Sequence, residues 1–215
     1  MTDKIQVIKD LSDGNFYNIE EIAKITNSSI DFVRGVLNDP SVQYSPELDG
    51  SGCLYIMDIK YDTIVDGEGF RNSVYCAGCN VFCSGCHNKQ SWDIANGRPI
   101  ALSTLLNKLG NSLYDVTFTG GEASIQAKAA GFLAEQLRTV YEKNIWLYSG
   151  HTFEELNIPD TPQQYLLSNV DVLVDGKFIK ELRDLNLVFK GSGNQRIINV
   201  KESIKNNKVI LYDWN

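Results

Sequence analysis

The stretch CAGCNVFCSGCHNKQSW, residues 76–92, packs four of the chain's five cysteines into eleven positions, with His87 directly after the last. No other feature limits the fold so tightly. Thiols crowded this way converge on a metal or a metal cluster, so the rest of the chain must build a scaffold that presents one short loop. The N-terminus MTDKIQVIKD is charged, and no apolar run approaches the roughly 18 residues of a membrane span. A cytoplasmic protein is expected, where thiols stay reduced and clustered cysteines bind metal rather than pair as disulfides. The net charge of −7 argues against nucleic acid or an anionic membrane as partner. With His87 and His151 the only histidines, a three-histidine zinc site is excluded and a two-histidine one would need both.

Three arrangements compete for the cysteines. Cys76, Cys79, Cys83 and Cys86 form two C-x-x-C pairs, a donor set for tetrahedral zinc, but three residues separate pairs that such sites place a dozen or more apart. A four-cysteine ferredoxin run follows C-x2-C-x2-C-x3-C-P, whereas this chain has C-x2-C-x3-C-x2-C and no proline. The third arrangement is a 4Fe–4S cluster on Cys79, Cys83 and Cys86 alone. Each thiolate then takes its own iron, and the fourth iron stays open to chelate a substrate. Cys76 becomes a small buried apolar residue at the end of the strand-like SVYC, and Cys53 is structural.

The turn-rich SPELDGSG, residues 45–52, divides the chain into a small helical module, residues 1–50, and a core, residues 51–215. In the module, residues 3–11 place Ile5, Ile8 and Leu11 on one face, and residues 18–26 group Ile19, Ile22, Ala23 and Ile25. Ser28 and Asp31 form a capping-box pattern ahead of Ile30, Val33, Val36 and Leu37. Helices joined at TNSS resemble a helix-turn-helix or winged module. Four Lys or Arg against nine Asp or Glu in residues 1–50 favour packing or protein docking over DNA. The core alternates strand and helix patterns, with strands at 72–76, 115–119, 144–149 and 170–174. A helix at 127–141 carries Ala130, Leu133, Leu137 and Val140 on one stripe. The chain therefore reads as α/β, and its core falls short of the about 250 residues of a complete eight-unit barrel, so a partial, open parallel β/α barrel is expected.

C-x3-C-x2-C on a loop after a strand resembles the signature of the radical S-adenosylmethionine (SAM) superfamily. The longer string CSGCHNKQSWD, residues 83–93, is similar to the activating enzymes of glycyl-radical enzymes, in the branch that serves the anaerobic ribonucleoside-triphosphate reductase. Matches run in one order through residues 56–211: DIKYDTIVDGEGFRNSVY, TFTGGEAS, IWLYSGHTFEEL, DVLVDGKF and FKGSGNQRIINV. Residues 1–50 lie outside them. The resemblance implies a partial barrel of radical SAM type, with the 4Fe–4S cluster on Cys79, Cys83 and Cys86 and SAM chelated at the open iron. Gly120, Gly121 and Glu122 would contact the methionyl amino group, and Gly85, Cys86 and His87 would complete the cofactor surroundings. A one-electron donor such as flavodoxin would reduce the cluster and split SAM into methionine and a 5′-deoxyadenosyl radical. That radical would take hydrogen from a glycine Cα on the reductase's large subunit, with no catalytic side chain beyond the cluster and SAM.

Two departures from the family pattern stand out: Ala123 where a proline often follows the acidic residue, and Glu68 where Gly-Pro-Gly is usual. DGEGFR, residues 66–71, reads equally as a structural turn and as a substrate-facing loop. YSGH, residues 148–151, ends another strand and reads as lining the cofactor pocket, with His151 itself a surface or packing histidine, and DGKF and GSGNQR read as segments that shape a mouth. Two other functions fit parts of the pattern: an activase of a formate-lyase-type enzyme, or a metal-cluster-containing regulator whose N-terminal helices sit on DNA.

Overall fold

The computed structural model describes residues 52–213 and 19–30 and the single positions Ile8, Leu11 and Val33. The strands are β1 (Cys53–Thr63), β2 (Arg71–Cys76), β3 (Arg98–Ala101), β4 (Asp115–Gly120), β5 (Ile145–Tyr148), β6 (Val172–Asp175) and β7 (Arg196–Asn199). The helices are α1 (Ile19–Ile25), α2 (Leu102–Gly110), α3 (Ala127–Tyr141), α4 (Phe153–Leu156), α5 (Pro162–Ser168) and α6 (Val200–Asn206). All seven strands join one open sheet in the order β3-β1-β2-β4-β5-β6-β7.

The α/β class holds, but the sheet is mixed rather than wholly parallel. Strands β2, β4, β5 and β6 run parallel, while β1, β3 and β7 pair antiparallel at its flanks. Connection length accounts for this. β1 returns to β2 through the short loop 64–70, which leaves no room for a crossover helix, whereas α3 carries β4 over to β5. The strand at 72–76, expected to be the first, is the second in the chain and the third across the sheet.

Alternation along the strands separates two faces. Val74, Cys76, Val116, Phe118, Ile145 and Leu147 point into the main core with α2, α3 and α5. Their neighbours Tyr75, Thr119 and Tyr148 line a cavity on the other side. Helix α3 runs as its periodicity predicts, burying Ala130, Leu133, Ala134 and Leu137. Val140 departs from the expected stripe: it is 62% exposed, and in that last turn its neighbour Tyr141 packs against the core instead. Gly131 permits close approach to α5, since a Cβ there would lie 2.7 Å from the Tyr165 ring.

In the N-terminal segment, α1 buries Ile22, Ala23 and Ile25 as expected. It stops at a left-handed Asn27, with Ser28 N–H donating to the Ala23 carbonyl at 2.9 Å and Asn27 N–H to that of Lys24. Ile8, Leu11 and Val33 join these residues in a second apolar cluster with Tyr55, Ala77, Ile94 and Ile125. The flanking helix patterns and the Ser28–Asp31 capping box fall largely outside the described residues.

Truncating Leu133 to Ala should lower the unfolding free energy by about 2–5 kcal/mol, and Val140→Ala should change it by less than about 0.5 kcal/mol. Urea titration followed by circular dichroism reads both. Equal losses would contradict this placement of the helix stripe.

Candidate metal centre

Cys76 at the end of β2 lies in register with Gly120 at the end of β4, so the cysteine loop and the TFTGGE turn leave the sheet side by side. Two backbone hydrogen bonds fasten them: Gly121 N–H donates to the Cys76 carbonyl at 2.9 Å, and Glu122 N–H to the Gly78 carbonyl at 2.7 Å. The far side of the loop is tied by Gly78 N–H to the Ser91 carbonyl and by Cys79 N–H to the Trp92 carbonyl at 3.1 Å. Such proximity needs glycine. Gly120 has φ +96°, and a Cβ on it would lie 2.8 Å from Tyr75 Cα. On Gly121 a Cβ would collide with the Gly78 carbonyl oxygen.

Cys79, Cys83 and Cys86 line one cavity of about 660 Å³, together with His87, Trp92, Gly120, Gly121 and Glu122. All the cysteines are free thiols. Burial pushes the Cys79 thiol up to about 11, against the pull of the Phe82 and Val81 amides directed at it. Burial also raises Cys83, countered by the Phe178 amide, and Asn88 N–H donates to Cys86 Sγ at 3.3 Å. Backbone donors therefore already face the sulfurs, as an anionic sulfur cluster requires. Among the described residues no group of three or more His, Cys, Asp or Glu side chains is placed to hold a single metal ion. Cys76 turns away: it is fully buried in the main core, where burial drives its thiol far above the usual range.

Glu122 is buried, and its carboxylate is fully engaged. It accepts from Ser149 Oγ at 3.0 Å, from Gly150 N–H at 2.8 Å and from Ser124 N–H at 3.1 Å. The side chain thus locks the end of β4 to the end of β5 and caps the short turn after it. Gly85 has φ +78° and lies beneath the Lys180 stem. His87 sits edge-on to Phe178, with ring centroids 6.0 Å apart. His151 reaches the site through Asn80 between the first two loop cysteines, its Nε2 3.1 Å from Asn80 Oδ1.

DGEGFR is a brace with one residue on the cavity. Asp66 lines the cavity and accepts from Tyr75 Oη at 3.3 Å. Arg71 is buried, donating to Thr117 Oγ1 at 2.7 Å and to the Val116 and Asn144 carbonyls at 2.8 Å each. DGKF and GSGNQR meet at the mouth as expected: Gln195 Nε2 donates to the Gly176 carbonyl and Asn194 Nδ2 to that of Lys177. Asp175 holds Phe153 N–H at 2.8 Å and Arg196, whose guanidinium also grips Glu154. The YSGH segment lines the cavity as expected, through Tyr148, Ser149 and Gly150, and DGEGFR reaches it through Asp66, whereas sequence reasoning missed Tyr75 and Thr119 as wall residues. The signal available was their position at or just beyond the ends of parallel strands, where ligands bind in such sheets.

The sequence profile of the 4Fe-4S single cluster domain family matches residues 65–198. A relative from Pasteurella multocida (strain Pm70) is 36% identical over 143 residues, covering 62% of this chain and 90% of its own. One from Escherichia coli (strain K12) is 32% identical, with 61% and 90% covered. One from Enterobacteria phage T4 is 32% identical, with 65% and 93% covered. Each is an anaerobic ribonucleoside-triphosphate reductase-activating protein.

Replacing Gly121 by Ala should destabilise the chain by about 1–3 kcal/mol, since neither backbone at the contact can yield cheaply. Gly193→Ala, where a Cβ would meet nothing nearer than 3.8 Å, should stay within about 0.5 kcal/mol of the parent. Thermal unfolding of both variants tests the contact, and equal midpoints would refute it.

Proposed function

This chain belongs to the 4Fe-4S single cluster domain family, and from that premise we propose that it is a radical SAM activase that installs a glycyl radical on an anaerobic ribonucleoside-triphosphate reductase. One observation carries the reading. Cys79, Cys83 and Cys86 and the paired glycines of TFTGGE share one cavity at the C-terminal ends of adjacent parallel strands.

The donor set suits a cubane held at three corners. Cys76 is committed to the core, while the other three thiols face the cavity with amides aimed at them. The Trp92 indole N–H is buried without a partner among the described residues, and a cluster sulfide would give it an acceptor. Held there by Cys79, Cys83 and Cys86, a cluster with SAM would supply radical chemistry directed at a glycine Cα–H. The chain's own residues do the rest. Gly120 and Gly121 would let backbone come close to the methionyl amino group. Glu122, held by Ser149 and Gly150, keeps that turn in place. Gly85 and His87 bound the third-cysteine corner. The apolar wall of Val81, Trp92 and Tyr148 limits water around a reactive radical.

The open sheet with four parallel central strands supports a partial barrel of radical SAM type. Division into a 1–50 module and a 51–215 core is supported by a family match that begins at residue 65, with the module's Ile8, Ile22 and Val33 packed onto Tyr55, Ala77, Ile94 and Ile125 of the core. In this reading the enzyme works in the cytoplasm, where thiols stay reduced, and draws its electron from a flavodoxin-like donor.

After anaerobic reconstitution, Cys79→Ala, Cys83→Ala and Cys86→Ala should each lose the 4Fe–4S content, while Cys76→Ala keeps it. In the parent, SAM should shift the EPR spectrum of the reduced cluster, and the reductase should acquire a glycyl radical signal. A parent that carries one zinc ion and leaves SAM intact would overturn the assignment.

A further inference from the structure

We propose that residues 177–190 form a docking lip that receives an extended, glycine-bearing segment of the reductase, flanked by acidic and apolar side chains. This rests on the activase reading above and adds the surface through which the partner reaches the cavity.

The lip springs from the site at both ends. At its start, the Phe178 amide faces Cys83, the Phe178 ring meets His87, and the Lys180 stem lies over Gly85. At its close, the Phe189 carbonyl accepts from Tyr148 Oη at 2.9 Å and the Phe189 ring packs on Trp146. Between these anchors the chain stands out from the body, steadied by Gly193 N–H donating to the Leu182 carbonyl at 2.8 Å. Its apolar side chains face solvent: Leu185 is 84% exposed, Val188 59% and Leu182 47%. Leu185 and Leu187 also line the cavity, so the apolar strip continues inward to the thiols. Apolar surface placed together on a functional rim marks a contact site.

Charge narrows the partner. Lys177, Lys180, Arg183 and Lys190 stand against Glu181 and Asp184, which makes the lip net positive on a chain of net charge −7. A segment with acidic flanks is steered to this rim and away from the rest of the surface. The reaction itself requires a backbone carbon to enter the cavity. Only an extended segment can present one, and glycine has no side chain to hold its Cα away from the wall. Apolar neighbours of that glycine would then lie along Leu182, Leu185 and Val188.

The test uses the full-length, reconstituted protein carrying Leu182→Asp or Val188→Asp, neither of which lines the cavity. Each should raise the concentration of reductase needed for half-maximal glycyl radical formation at least tenfold. SAM cleavage without reductase and the SAM-induced EPR shift should match the parent. A Lys180→Glu variant should weaken reductase binding most at low salt and little at high salt. Unchanged reductase dependence in both Asp variants, with an active parent, overturns the lip. So does a change confined to self-association in gel filtration, which would make the strip a contact between copies of this chain. A parent that neither cleaves SAM nor radicalises the reductase fails the activase reading instead.

Discussion

Two amide-to-carbonyl hydrogen bonds, from Gly121 to Cys76 and from Glu122 to Gly78, hold the site together. They join the last residue of β2 and the loop just after it to the first residues past β4, and nearly every other feature of the centre follows from that proximity. Side chains had to be removed from both turns to allow it. The bonds are buried and short, so they define the loop by geometry rather than by thiol chemistry. Glu122 extends the same join sideways by gripping Ser149 and Gly150 at the end of β5. Three successive strand ends are thus cross-linked around one hollow.

A second constraint lies deeper on the same face. Arg71 places a guanidinium among backbone carbonyls from β4, the start of β5 and the 66–68 turn. Burial lowers it to about 10, with Asp115 opposing that shift, so it remains charged at neutral pH. A buried cation is tolerable where its donors find oxygens, and here Thr117 Oγ1, Glu68, Val116 and Asn144 provide them. The Trp146 ring adds a face at 5.4 Å. The inner face is therefore closed at its base by a charge and an indole, leaving the hollow open toward the strand ends.

The sequence displayed the central elements clearly, because their signals are local. The helix at 127–141 and the strands near 72–76, 115–119 and 144–149 carry periodic apolar residues whose partners are near in the chain. β1 was harder. Its eleven residues begin apolar and end in the polar IKYDT run, so half of the strand looks like loop. β3, with proline in a four-residue edge strand, gives almost no pattern. Val140 fits the spacing from Leu133 and Leu137, yet Tyr141 takes the core side of the last turn. At the site, spacing exposed the three cysteines and the glycine pair. The roles of Asn80, Ser149 and Arg71 depend on contacts across dozens of residues, which no period records. Glu122 shows both levels at once: its place beside the strand end was legible, and its full set of partners was not.

The hydrogen bonds that strap the cysteine loop to the body use none of its three thiols. Straps on both flanks, left-handed glycines and amides turned toward sulfur are all properties of the polypeptide by itself. In small zinc domains the ion must order the chain, so folding and metallation are one event. Here the straps are backbone groups of the strand ends and the turns after them, so exchanging a cysteine for alanine takes away a ligand and leaves the loop's attachment in place.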